Sequence, residues 1–138
     1  DMIRFVGLNI DSKGASKPWQ QAIALTQTGY FRAGGMMQGL GWEMYDWPAT
    51  LDTLLAGNSS QMSFNANAVT RLTPPKAPQP NAWLNKTGAT NGFGAYAAFV
   101  PSRRMGIVML ANKNYPNADR VTAAYRILTA LDNQMATH

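Results

Sequence analysis

The chain contains no cysteine and a single histidine, His138, which is its last residue. Without cysteine there is no disulfide framework and no thiolate nucleophile, and the redox compartment stays open. One terminal histidine offers no credible metal site, and no Ser-His-Asp triad can be assembled around it. Charge is scarce too: 14% of residues are charged, with 12 Lys and Arg against 7 Asp and Glu. The cations are scattered, and Arg103-Arg104 is the only adjacent basic pair. The clustered basic face that nucleic-acid binding requires is therefore missing, although the formal charge of +5 still suits a small anionic ligand. No apolar run approaches the ~18 residues that span a bilayer, so no membrane partner is expected. The chain opens at Asp1 with no initiator Met and no basic-then-apolar leader. The expectation is a chain that starts mid-protein or after processing. Internal repeats are absent, and Gly92-Phe93-Gly94 has neither dinucleotide-binding nor P-loop spacing.

What is present is one domain's worth of apolar material, 46% of 138 residues. Asp1 to about Asn9 carries Met2, Phe5 and Val6 at near-helical spacing and reads as the tail of a helix. A second helix starts at Ser16 or Lys17, with Pro18 in its first turn and Gly29 as its stop. Its face of Trp19, Ala22, Ile23 and Thr26 marks it as a packing element. Tyr30–Ala33 is a short strand. Met36–Tyr45 reads as another, with Leu40, Trp42 and Met44 on one face. Glu43 and Asp46 are candidates for an acid/base pair, but no third group supports them, so they read as solvated or ion-paired. Thr50 caps a short helix that stops at Gly57. From Asn58 to Pro80 the chain makes a polar, proline-rich excursion, in which Met62–Phe64 and Val69–Leu72 are edge-strand candidates. A passive connection and the wall of a site are equally open there.

The runs 95–100 and 105–111, split by Pro101-Ser102-Arg103-Arg104, predict a β-hairpin covered on both faces. Asn117 is placed to cap a final helix whose stripe is Val121, Ala124, Tyr125, Leu128 and Leu131. Arg120 in its first turn opposes the helix dipole, so it either pairs with Asp119 or serves a ligand.

The stretch that needs explaining is Trp83-Leu84-Asn85-Lys86-Thr87-Gly88-Ala89, followed by more glycine. An apolar strand there delivers a Lys and a Thr into a segment stripped of side chains, where a ligand can lie close. A lone Lys-Thr-Gly is a weak signal, yet it is one of three motifs of penicillin-recognising serine enzymes. The longer run Lys86–Tyr96, followed by Gly106–Asn117, closely resembles the C-terminal portion of class C serine β-lactamases. Gly39–Met44, Thr73-Pro74-Pro75 and Arg120–Leu131 match the same family in order.

That resemblance implies an α/β (α+β) fold of the β-lactamase/transpeptidase-like type, with antiparallel sheet strands and a C-terminal helix packed on one face. Residues 1–138 would be the C-terminal portion of the α/β domain, with the helical region and the first strands absent. The family's Ser-x-x-Lys and Tyr-x-Asn motifs, which such enzymes carry upstream of this region, are expected in the absent part. Ser12, Ser16, Ser59 and Ser60 have no Lys three positions on, and Tyr45 and Tyr96 lack the Asn. By resemblance, Lys86 is the catalytic lysine, Thr87 bonds the substrate carboxylate and Gly88 lets substrate lie along the strand. The Ala89 N–H is one of two oxyanion donors, each worth ~3 kcal/mol elsewhere. Asn114, Asn117 and Arg120 ring the carboxylate end. The implied partners are a small β-lactam and the missing N-terminal part, in a monomeric, periplasmic, cofactor-free hydrolase. A D-alanyl-D-alanine peptidase or esterase of the same fold and an inert fragment are the alternatives. The isolated chain is expected to be inactive, with exposed apolar surface and poor stability.

Overall fold

The structure, a computed structural model, describes residues 1–137. His138, on which the metal argument partly rests, lies outside the described residues. Two helices lead, α1 (Met2–Ile10) and α2 (Lys17–Thr26). They are followed by strands β1 (Gly29–Ala33), β2 (Met36–Gln38) and β3 (Glu43–Asp46). Short helices α3 (Leu51–Gly57) and α4 (Ser60–Phe64) come next. The chain then runs through β4 (Thr70–Lys76), β5 (Ala82–Ala89), β6 (Gly94–Val100) and β7 (Met105–Ala111) to α5 (Asn117–Ala136).

All seven strands form one antiparallel sheet in the order β4-β1-β2-β3-β5-β6-β7. The sheet separates two cores. Beneath one face, Trp83, Tyr96, Ala98 and Val100 pack with Val121, Ala124 and Leu128 of α5 and Leu54 of α3. On the other face, Val6 of α1 meets Met37, Trp42, Met44, Leu84, Ala97 and Phe99. Trp83 is fully buried and stacks on Trp47 with ring centroids 5.9 Å apart. Burying such a ring contributes about 1.5–3 kcal/mol, and the stacking adds about 0.5–1.5.

The hairpin, the final helix and the antiparallel sheet with that helix on one face match the sequence expectation. Both hairpin faces are covered along β6, but Leu110 of β7 is largely exposed. Four local expectations give way. Met36–Tyr45 is not one strand but β2 and β3 joined by a tight turn, in which Gly39 N–H donates to the Trp42 carbonyl (2.8 Å) and Gly41 sits at φ +98°. Leu40 therefore leaves the face it would share with Trp42 and is exposed. Met62–Phe64 belongs to a helical turn, because the Ser59 hydroxyl accepts the Met62 N–H as an N-cap. Only the Val69–Leu72 piece becomes an edge strand, as β4 against β1. Helix α2 ends at Thr26, and Gly29 opens β1, where a Cβ would strike the Met37 side chain at 2.5–2.8 Å.

Helix α2 buries none of its residues fully. Trp19, Ala22, Ile23 and Thr26 instead line an open apolar groove with Met2 and Phe5 of α1, Trp42 and Leu110, and the groove reaches Lys86–Gly88. The apolar face read from the sequence is real, but little of this chain lies over it.

Candidate active site

The site is built on β5, whose two halves have different surroundings. Ala82, Trp83, Leu84 and Asn85 are buried; Lys86, Gly88 and Ala89 are exposed and Thr87 is half-buried. On one side β6 pairs with β5 from Leu84 to Ala89. On the other, β3 pairs only with Ala82–Asn85, because the turn that opens β3 ends it at Glu43. Lys86–Ala89 is consequently a sheet edge, and backbone groups at such an edge can pair with an added strand. A Cβ on Gly88 would meet only the Ala95 methyl, at 3.8 Å. The surface over Gly88 is open to a ligand.

At the start of this edge, the Lys86 ammonium donates to Glu43 Oε1 at 2.7 Å. The carboxylate side chain is 14% exposed and the ammonium side chain 50%, so Glu43 fixes the cation from below and leaves it open above. Asn85 Nδ2 donates to Glu43 Oε2 at 2.9 Å and to Asn58 Oδ1 at 3.2 Å. Asn85 Oδ1 in turn accepts from Trp83 Nε1 at 3.2 Å and from Asn58 Nδ2 at 3.4 Å. Both asparagines are buried, and buried amides of this kind must be paired. Tyr45 and Tyr96 complete the cluster, accepting from Asn58 and Trp83. Burial, and then the Glu43 carboxylate, push the Tyr45 hydroxyl far above the usual phenol range. Tyr96 is raised by burial and by Glu43, against a lowering by the Trp83 N–H. Both remain neutral phenols at any ordinary pH.

The far end of the edge is tied from α5. Arg120 is 4% exposed. Its Nη1 donates to the Gly88 carbonyl at 2.6 Å and the Ala95 carbonyl at 2.9 Å, and its Nη2 donates to Asn117 Oδ1 at 2.7 Å. Its Nε has no partner among the described residues. A pairing with Asp119, one of the two readings from sequence, does not form. Asn117 is the first residue of α5 rather than its cap, since Pro116 holds that position. Its Nδ2 reaches back to the Asn58 carbonyl at 3.3 Å. The structure thus links Asn117 and Arg120 to Gly88 from beneath the sheet. Asn114 stands apart, exposed in the loop before α5.

A family model described as Beta-lactamase matches residues 1–132. The chain belongs to the β-lactamase family. A curated β-lactamase from Pseudomonas fluorescens is 54% identical over 132 residues, which is 96% of this chain and 37% of that protein. The crystal structure of a β-lactamase/D-alanine carboxypeptidase from Pseudomonas syringae superposes with a TM-score of 0.89 at 53% identity, covering 94% of this chain and 36% of that one. A class C β-lactamase in complex with cefoxitin gives 0.86 at 50% identity, with 94% and 36% covered. The resemblance to class C enzymes and the expected fold are both borne out. This β-lactamase chain spans about 37% of the length of the curated relative it matches.

Sequence pattern assigns no role to Asn58 or Asn85 of this β-lactamase chain, and it reads Glu43 as solvated or ion-paired without naming its partner. Asp46, three residues on, is the carboxylate that sequence sets beside Glu43, whereas the ion-pair partner of Glu43 is Lys86, 43 residues away. The available signal was the polar Asn85 inside the otherwise apolar 82–85 stretch of β5. A buried amide in a strand asks for partners.

Proposed function

We propose that this chain is the C-terminal portion of a class C serine β-lactamase that hydrolyses the β-lactam amide of cephalosporins and penicillins through an acyl-enzyme. The observation that carries the reading is the unpaired, glycine-opened edge Lys86–Ala89, with a cation fixed at its start. An extended acylamino side chain of a substrate can pair along such an edge as an added strand. Lys86 attracts the substrate carboxylate, Thr87 hydrogen-bonds it, and the Ala89 N–H receives the oxyanion of the tetrahedral intermediate. The nucleophilic serine belongs to the part of the enzyme outside residues 1–138. Its Oγ adds to the lactam carbonyl, the ring C–N bond breaks with a proton passing to nitrogen, and water then cleaves the ester. Asn114 contributes to the carboxylate end from its loop, and Asn117 and Arg120 act there as well, through the strand they brace. The parent works as a periplasmic monomer without a cofactor.

A second reading is favoured by the Pseudomonas syringae protein, which is named a D-alanine carboxypeptidase as well as a β-lactamase. A peptidase acting on D-alanyl-D-alanine termini would use the same edge and the same carboxylate grip. One experiment separates the readings. A chromogenic cephalosporin and a D-alanyl-D-alanine peptide are offered to this chain alone and to this chain joined to the leading part of the Pseudomonas fluorescens relative. The expected result is no turnover by the chain alone and cephalosporin hydrolysis by the joined protein. Peptide cleavage without cephalosporin hydrolysis selects the peptidase, and cephalosporin turnover by the isolated chain contradicts the assignment of the nucleophile.

A further inference from the structure

One hydrogen-bonded circuit underlies the edge strand and closes on itself. It leaves Lys86 through Glu43, passes to Asn85 and Asn58, continues from the Asn58 carbonyl to Asn117 and Arg120, and returns to β5 at the Gly88 carbonyl. Lys86 and Gly88, the two ends of the binding edge, are anchored to the same buried lattice. Asn85 is its branching point. It is fully buried, and its amide uses both faces: Nδ2 gives to Glu43 and Asn58, and Oδ1 takes from Trp83 and Asn58. It is the residue immediately before Lys86, and both side chains end on the Glu43 carboxylate.

We propose that Asn85 is a positioning residue for the reaction: by donating to Glu43, it sets where that carboxylate holds the Lys86 ammonium over the open edge. A carboxylate that is 14% exposed requires donors, and Glu43 has two, the Lys86 ammonium and the Asn85 amide. With Asn85 removed, Glu43 either recruits more of the Lys86 ammonium or rotates toward water. Either way the cation leaves the position that the circuit gives it. A catalytic group displaced by about 1 Å can lose on the order of 100-fold in rate. Asn58 supports Asn85 and carries the circuit to α5, whereas Glu43 and Lys86 are the groups it controls.

The proposal rests on the β-lactamase reading, and its test keeps the two apart. The joined full-length protein is compared with its Asn85→Leu and Asn85→Asp variants, using a chromogenic cephalosporin. Asn85→Leu is expected to lower kcat/KM at least tenfold, since the displaced ammonium both grips the substrate carboxylate and serves the reaction. Asn85→Asp carries the more specific signature. At neutral pH its carboxylate faces Glu43 and cannot donate, whereas protonation restores an O–H donor in the place of the amide. The other ionisable groups facing this point are Tyr45 from β3, Tyr96 from β6 and Lys86 beside it, with Arg120 of α5 reached through Asn117. Both tyrosines stay neutral throughout. The activity of Asn85→Asp relative to the unsubstituted protein is therefore expected to rise at least fivefold as pH falls from neutral toward 5. A flat ratio, or Asn85→Leu turning over within twofold of the unsubstituted protein, overturns the proposal. Should Asn85→Leu fail to fold, the Asn85→Asp ratio decides alone. If the unsubstituted protein does not turn over cephalosporin, the β-lactamase reading fails. The positioning claim is then decided by a crystal structure of Asn85→Asp, in which an unmoved Lys86–Glu43 pair refutes it.

Discussion

Replacing Arg120 with Met separates a buried brace from a ligand-binding cation. The guanidinium is 4% exposed and directs three bonds inward, to Gly88, Ala95 and Asn117. Bonds to a charged donor contribute about 1.5–3 kcal/mol each when broken singly, but they do not sum. The variant no longer carries the desolvation penalty of a buried cation, which is several kcal/mol. Water can also replace the donor at Gly88, an exposed residue. What remains is the Ala95 carbonyl and the Asn117 amide oxygen, each left without its donor at about 1–3 kcal/mol, less about 1–2 recovered by burying the thioether. Those ranges leave a loss of roughly 0–5 kcal/mol, and the central value of about 2–3 is the one expected. It is read as a fall in the guanidinium midpoint of the full-length protein at unchanged m-value. A solvent-facing ligand residue would change stability by no more than about 0.5 kcal/mol and would raise KM alone. An unchanged midpoint with a raised KM would refute the bracing role. Arg120→Lys, which keeps the charge but not the fork, is expected to recover about half of the lost stability or less.

Other expectations follow from single contacts. Lys86→Ala in the full-length protein should remove most cephalosporin turnover while leaving the melting temperature within a few degrees, since the ammonium side chain is half exposed; normal kinetics would remove Lys86 from the mechanism. Gly88→Ala adds a methyl that meets only Ala95 at 3.8 Å. It should leave stability within about 0.5 kcal/mol and impair substrate binding, and a large stability loss would show that the space over the strand is not open. Gly57→Ala drives a methyl into the Tyr45 ring, with Cζ and Cε1 at 2.7 and 2.8 Å. A cost of about 1–3 kcal/mol is expected from overpacking, measured by chemical denaturation. Tyr45 and Tyr96 are held neutral by burial, so the unfolded chain loses their protons first. Their contribution is complete below pH ~10, the ordinary phenol value, and is lost as pH rises above it. In a phenolate absorbance titration, two of the five tyrosines should appear only with unfolding.

Local pattern decided some elements of this fold and not others. The hairpin of β6 and β7 and the stripe of α5 were readable because long apolar periodicity reports directly on packing. The break between β2 and β3 was hidden, since Leu40 and Trp42 continue the alternation through the turn that Gly41 makes. The helical turn at Met62 depends on one hydroxyl cap, a weaker cue than its apolar residues. At the site, Lys86-Thr87-Gly88 could be read because motif residues are contiguous. The bracing of that strand could not, because Glu43, Asn58 and Arg120 reach β5, and Asn117 reaches Asn58 and Arg120, only through sheet register and helix packing. Asn117 shows the limit well. It has the chemistry of an N-cap, yet its side chain is taken by Asn58 and Arg120.

In the proposed function this chain grips and polarises the substrate while the attacking serine lies elsewhere. The most direct measurement is peptide mapping by mass spectrometry of the full-length protein trapped with a slowly deacylated β-lactam. A stoichiometric acyl adduct is expected on a serine outside residues 1–138, lost in the variant of that serine. An adduct on any serine of this chain, above all on Ser63, which lines a cavity with Glu43 and Lys86, would contradict it.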